Sequence, residues 1–337
     1  ASTYDWKNGI GPLAQRGQGY DFNNKRQPIR FGTDEFITLL NDLDARGMIT
    51  VNPKLAASHA ADWLRYVNGR GSRVPYWEVG NETYLRQDPS FMTAVEYAAV
   101  FTSMSSVLHE VDPKVRVGAL LEANFINFPW VKPLIPQVDE WNQTVFEKVG
   151  NAADFYSIHL YGPFGTSRSE DDTRQAVLAV PGVFAIKLAT LKDAMAQRSI
   201  AVPLQVTEFN ILTDSIKDNW KYSLDPIQGT FIMDSLLVFA QAGVEAAYYW
   251  TSIGSYNFGL LESAEKRTLR PAAATFKNLA PYRGAAVLGA EVACPMLQLE
   301  KIGIVTHLEQ KRIPALNALC LSLADGSMAV LAVNRST

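Results

Sequence analysis

From about residue 30 to about residue 283 the sequence repeats one pattern, a short run of apolar or β-branched residues followed by a longer amphipathic stretch. That repetition specifies βα units around a parallel sheet. The runs are Met48–Asn52, Tyr76–Gly80, Val115–Leu120, Phe155–Leu160, Leu204–Glu208 and Ala246–Trp250. Between them lie helices with readable boundaries. Thr33, followed by Asp34 and Glu35, opens a helix running to about Arg46, with Gly47 as its stop. Ser90 opens a long helix ending before Asp112-Pro113, and Asp225-Pro226 opens one ending at Gly243. Six strand-helix units result, whereas a closed (β/α)8 barrel needs eight strands. Residues 1–30, rich in Gly, Asn, Gln and Arg, read as loop and leave no room for two more strands before Met48.

After about Arg283 the pattern changes to short alternating segments: Gly289–Ala293, Ile302–Val305, Ala318–Leu323 and Met328–Val333. Asp325-Gly326 between the last two is a hairpin signal. The expected organisation is therefore a partial catalytic barrel over 1–283 and a partial β-sandwich over 284–337.

Composition narrows the function classes. A chain of 337 residues with 47% hydrophobic and 19% charged residues is neither disordered nor a small disulfide scaffold. A net charge of −3 without a basic run argues against nucleic-acid binding. The sequence shows no apolar run of about 18 residues, so no membrane span is expected. Cys294 and Cys320 have no metal or redox spacing, and they leave open both a single disulfide and the choice between cytoplasm and exterior. His59, His109, His159 and His307 do not cluster, so no protein-held metal is implied. The absence of an initiator Met reads as a processed, trimmed or truncated product.

The strongest chemical signal is Gly80-Asn81-Glu82 at the end of one strand candidate and Thr207-Glu208-Phe209-Asn210 at the end of another three units later. In a barrel the C-terminal ends of the strands face one pocket, so these carboxylates can converge. Two facing carboxylates are what glycosidic bond cleavage requires: one protonates the leaving oxygen, the other attacks the anomeric carbon or activates water. His159 and Tyr161 lie two apart on one strand end. Trp6 and Trp250 can serve equally as core residues or as walls for the apolar face of a sugar. Glu78, inside a strand, reads as structural or as a support behind the site residues, because an inward-facing charge is costly unless paired.

Trp6-Lys7-Asn8-Gly9-Ile10-Gly11-Pro12, Phe31-Gly32-Thr33-Asp34-Glu35-Phe36 and Tyr76-Trp77-Glu78-Val79-Gly80-Asn81-Glu82 resemble consecutive landmarks of glycoside hydrolase family 51. That family comprises α-L-arabinofuranosidases and some endoglucanases among the retaining clan A barrels. The resemblance extends through Ser157-Ile158-His159-Leu160-Tyr161 into the final β region. It implies a (β/α)8-type barrel lacking its first two strands, followed by part of a C-terminal β-sandwich. It assigns Glu82 as general acid/base, Glu208 as nucleophile, Asn81 to the sugar 2-hydroxyl, and His159, Tyr161, Trp6 and Trp250 to the lining of the site. The family's Asp-Glu-Trp-Asn is Thr207-Glu208-Phe209-Asn210 here. Its first two barrel strands and an Arg-containing Pro-Gly-Gly segment have no counterpart.

The expected function is retaining hydrolysis of plant cell-wall polysaccharide or oligosaccharide, with release of α-L-arabinofuranosyl groups as the leading activity. That hydrolysis needs no cofactor. An endo-β-1,4-glucanase or xylanase is the alternative within the clan, and an inactive or carbohydrate-binding fragment the alternative outside it. The expected partners are a carbohydrate and, across the open side of an incomplete barrel, a second copy of the chain.

Overall fold

In a computed structural model describing residues 3–20, 25–71, 74–125, 131–164, 169–213, 221–253, 258–262, 266–301 and 310–336, all six apolar runs form strands. Ahead of them, where loop was expected, an antiparallel pair β1 (Gln18–Tyr20) and β2 (Arg26–Pro28) follows a short 3-10 turn at Trp6–Gly9. The six strands are β3 (Met48–Val51), β4 (Tyr76–Val79), β5 (Arg116–Leu120), β6 (Phe155–Gly162), β7 (Leu204–Ile211) and β8 (Ala246–Tyr249). They are hydrogen-bonded in chain order from β3 to β8, the partial parallel barrel expected from the βα repetition. Beyond it the chain forms antiparallel β structure. The chain divides into two compact units: Ala1–Glu122 with Pro129–Ser157 and Arg198–Pro203, and Ala123–Phe128 with Ile158–Gln197 and Leu204–Thr337.

In the first unit β3, β4 and β5 pair in parallel register, with Thr50 opposite Glu78 and Tyr76 opposite Arg116. Its helices are α1 (Thr33–Asp42), α2 (Ala57–Asn68), α3 (Ala94–Val111) and α4 (Trp141–Lys148). Three expected helix boundaries move. Gly32, not Thr33, precedes α1, and its N–H donates to the Glu35 carboxylate at 2.9 Å. The helix ends at Asp42 because Asp44 turns to φ +49° and the Ala45 N–H returns to Leu40 O, before Gly47 is reached. The long helix opens at Thr93 rather than Ser90. Thr93 and Glu96 form a reciprocal capping box, while Ser90 is engaged by Asp88 in the preceding turn. The core is aromatic: Trp6 stacks on Trp63 at 6.2 Å and 7°, and Trp77 meets Trp63 edge-on at 5.8 Å. Side chains of this size, fully buried, contribute about 1.5–3 kcal/mol each.

The second unit contains the end of β6, with β7 and β8, the helices α5 (Glu170–Ala196), α6 (Pro226–Gln241) and α7 (Pro271–Leu279), and the C-terminal strands. Asp225 caps α6 by accepting the Ile227 N–H at 2.9 Å, with Pro226 at the first helical position, as expected. The helix stops two residues before Gly243, at Gln241. By length and composition α5 could cross a membrane, yet two thirds of its apolar window (67%) is buried within the protein. Within it Gly182 permits a close approach, since a Cβ there would lie 2.8 Å from Ile313 Cδ1.

The terminal region holds β9 (Ala286–Leu288), β10 (Met296–Gln298), β11 (Arg312–Pro314), β12 (Leu316–Ser322) and β13 (Met328–Asn334). Asp325-Gly326 makes the hairpin between β12 and β13, with Ser322 opposite Met328 and Gly326 at φ +84°. Strand β9 lies ahead of the expected Gly289–Ala293, which is not a strand; Ile302–Val305 falls outside the described residues. Leu319, Leu321 and Val333 pack with Leu237 of α6, so the C-terminal strands share a core with a βα helix. Cys294 and Cys320 are free thiols.

Candidate active site

Glu82 follows β4 by way of a tight turn. Gly80 has φ +78° and donates its N–H to Val51 O at 3.0 Å, and a Cβ on it would lie 2.7 Å from Thr83 Cγ2. Glycine therefore suits both the dihedral and the space. Asn81 and Glu82 are half-buried at the strand's C-terminal end, while Thr83 and Tyr84 turn into the core. Glu82 has φ +47°, a left-handed conformation uncommon for a residue with a Cβ. Its carbonyl accepts the Leu85 N–H at 2.8 Å. Within β4, Glu78 is buried. Its Oε2 accepts the Thr50 hydroxyl at 2.8 Å, and its Oε1 has no hydrogen-bond partner among the described residues.

Trp6, a candidate sugar wall, is 5% exposed. It is held between Trp63 and Tyr66, with its Nε1–H donating to His59 O at 3.2 Å. That packing matches the core role, one of the two readings open to Trp6 from its sequence. A cavity of about 960 Å³ in the same unit lies against Met48, Ile49 and Thr50 of β3 and is walled by residues of the N-terminal segment, among them Tyr4, Arg26 and Phe31. None of the candidate site residues lines it.

In the second unit, Glu208 sits at a register break. Gln205 and Val206 pair with Ala246 and Ala247, but Phe209 pairs with Tyr249, so β7 carries one extra residue around Thr207 and Glu208. Such bulges re-aim side chains and are over-represented beside active sites. The Tyr161 hydroxyl donates to Glu208 Oε2 at 2.6 Å, a length typical of a bond to a charged acceptor. His159 Nδ1 stands 3.7 Å from the same oxygen, beyond hydrogen-bond length but close enough to feel its charge. His159 and Tyr161 are both buried on β6, two residues apart and hence on one face. Trp250, just past β8, is 40% exposed, in contrast to Trp6.

Sequence reasoning missed the groups that hold this arrangement. Asn124 accepts the Tyr161 N–H through Oδ1 at 2.7 Å, and its own carbonyl accepts from the buried Lys187 ammonium at 2.6 Å. Asn210 and Gln228 join the segment after β8 to β7 and α6. Their polarity at buried positions was the available signal, but only the fold shows what they touch. Chemically, a carboxylate fixed by a phenol in the C-terminal half of a barrel strand is suited to act as a nucleophile or base, and a second carboxylate follows the end of β4.

Residues 1–162 match the family model of the alpha-L-arabinofuranosidase 1 domain. The chain is 22% identical over 221 residues to an intracellular exo-alpha-(1->5)-L-arabinofuranosidase of Acetivibrio thermocellus, covering 57% of this chain and 42% of that protein. It is 26% identical over 181 residues to a probable alpha-L-arabinofuranosidase C of Aspergillus flavus, covering 48% and 35%. Among solved structures, a family 51 α-L-arabinofuranosidase from Bifidobacterium longum superposes over 99% of this chain and 71% of its own, with a TM-score of 0.80 at 19% identity. The α-L-arabinofuranosidase of Thermotoga maritima, solved in complex with arabinose, gives 0.76 at 22% identity over 99% and 70%. The chain resembles the family 51 arabinofuranosidases. The match thus extends over less than half the length of those two curated relatives, and the solved structures establish the fold.

Proposed function

We propose that this chain is a retaining glycoside hydrolase that releases α-L-arabinofuranosyl groups from plant cell-wall carbohydrate. The observation that carries this reading is Glu208, set in the bulge of β7 with Tyr161 donating to its carboxylate. Glu208 attacks the anomeric carbon while Glu82 protonates the departing oxygen. Glu82, now a base, then takes a proton from the water that hydrolyses the glycosyl-enzyme. Asn81, beside Glu82, engages the sugar 2-hydroxyl, and Trp250 supplies an apolar wall. His159 lines the site beside the nucleophile.

Hydrolysis of a panel of nitrophenyl glycosides, with Glu208→Gln as control, tests the reading. The α-L-arabinofuranoside is expected to be cleaved fastest, and Glu208→Gln to lose about a thousandfold or more of kcat. Preference for β-glucosides or β-xylosides would favour a glucanase or xylanase instead. Binding of sugar without any turnover would favour a carbohydrate-binding role.

A second copy of the chain completes the proposed assembly. Strands β3 and β8 end the six-strand order, and each has one hydrogen-bonded neighbour in that sheet among the described residues. Open edges of this kind promote association. Light scattering is expected to give a dimer or larger species, and an active monomer would overturn this part.

A further inference from the structure

Asn210 lies two residues beyond Glu208 on β7 and is 1% exposed. Its carboxamide nitrogen has two N–H donors, and both are engaged: one reaches Trp250 O at 2.5 Å, the other Phe258 O at 3.2 Å. Its oxygen accepts from the Ile211 N–H at 2.7 Å and from Gln228 Nε2 at 3.3 Å, and Gln228, buried on α6, also donates to the Tyr249 hydroxyl at 3.0 Å. The two stretches that Asn210 grips are bonded to each other: the Thr251 N–H donates to Phe258 O at 2.9 Å and the Leu260 N–H to Thr251 O at 2.8 Å. The Phe258 ring stands edge-on to Tyr161 at 6.3 Å, and Tyr161 is the residue that donates to Glu208.

We propose that Asn210 is a positioning residue: it ties Trp250 and Phe258 to β7 so that Trp250 stands as a sugar wall and Phe258 backs the tyrosine that holds Glu208. This deepens the functional reading above and rests on it. No other side chain of this size offers two donors and an acceptor. Aspartate would set a carboxylate oxygen against two carbonyl oxygens, and leucine would leave both carbonyls without this donor. Because Asn210 faces protein on every side, its influence on the sugar passes through Trp250 and Phe258 and falls mainly on binding.

The test compares Asn210→Asp and Asn210→Ser with Asn317→Ala. Asn317 donates to Asp234 at 2.7 Å in the same unit, so its loss removes a comparable buried bond away from Glu208. With the nitrophenyl α-L-arabinofuranoside, both Asn210 variants are expected to raise KM by about tenfold or more while kcat stays within about threefold. Asn317→Ala should lower Tm and leave KM unchanged. An unchanged KM in a folded Asn210 variant, or an equal rise in Asn317→Ala, overturns the proposal. So does failure of both Asn210 variants to fold, which would assign Asn210 to the fold alone.

Hydrogen exchange gives a readout that does not depend on turnover. The Thr251 and Leu260 amides should exchange about tenfold faster in the Asn210 variants and at the unmodified rate in Asn317→Ala. Equal protection in all three overturns the proposal. Absence of hydrolysis by the unmodified chain defeats the functional reading, and with it the sugar-wall role, while exchange still decides whether Asn210 fixes the two stretches.

Discussion

Glu82 occupies a backbone region that residues with a Cβ avoid, at φ +47°, two residues after a glycine at +78°. Holding a non-glycine residue there costs roughly 1–2 kcal/mol, and strain of this kind concentrates at functional sites. Glu82→Gly is therefore expected to be more stable than Glu82→Ala by about 1 kcal/mol in denaturant unfolding, with both impaired in cleaving natural substrate. Equal stability of the two would show that the turn carries no strain. The carboxylates at 82 and 208 were legible in the sequence because each follows a short apolar run, where a βα fold exposes side chains at one end. Trp6 read equally as core residue or wall, and the sequence alone could not decide between them. Its neighbours Trp63 and Tyr66 are distant in sequence, and nothing local to residues 1–12 states which ring it will stack on.

At the scale of elements, sequence signals worked where they were local. Asp225-Pro226 and Asp325-Gly326 carry their own dihedral and capping chemistry, and the structure keeps both. Ser90 misled because Asp88 engages it in a turn, leaving the cap to Thr93. The approach to α1 is held by Arg16, which makes two hydrogen bonds to Glu35 at 2.9 and 2.7 Å. Those bonds, with help from the Gly32 N–H, lower the Glu35 carboxyl from 4.5 to about 2. A depressed carboxyl contributes stability above its unfolded value, and that contribution is lost as pH falls from about 4.5 through about 2. Glu35→Gln is accordingly expected to lose less stability than the unmodified chain between about pH 6 and about pH 3, measured by urea midpoints. Parallel losses would remove the pair from the acid response. On α6, Asp234 accepts from Arg335 at 2.6 and 2.9 Å and from Asn317 at 2.7 Å, with Asp234 and Arg335 side chains only 1% and 4% exposed. Asp234→Ala leaves a buried guanidinium without its counter-charge and is expected to cost about 3–5 kcal/mol in denaturant unfolding. A loss under about 1 kcal/mol would mean that the tie between α6 and the C-terminal strands is incidental. That tie was illegible in sequence, since its partners are separated by 101 residues.

At the scale of the whole molecule, the count of six parallel strands was legible because each is a short apolar run set off by helices, and the order β3 to β8 follows from simple βα succession. The small strands β1, β2, β10 and β11 were not, being three residues each, too short for a period of two to declare itself. The central claim joins the two carboxylates in one double displacement, and it predicts a covalent intermediate. In Glu82→Ala, an aryl α-L-arabinofuranoside with a good leaving group needs little proton assistance to form that intermediate, but its hydrolysis lacks a base, so the glycosyl-enzyme should accumulate. The most direct measurement is mass spectrometry of that variant after acid quench, followed by peptide mapping. The account predicts one pentosyl residue added to the chain and located on Glu208; turnover of the same substrate with no adduct, or an adduct on another residue, would contradict it.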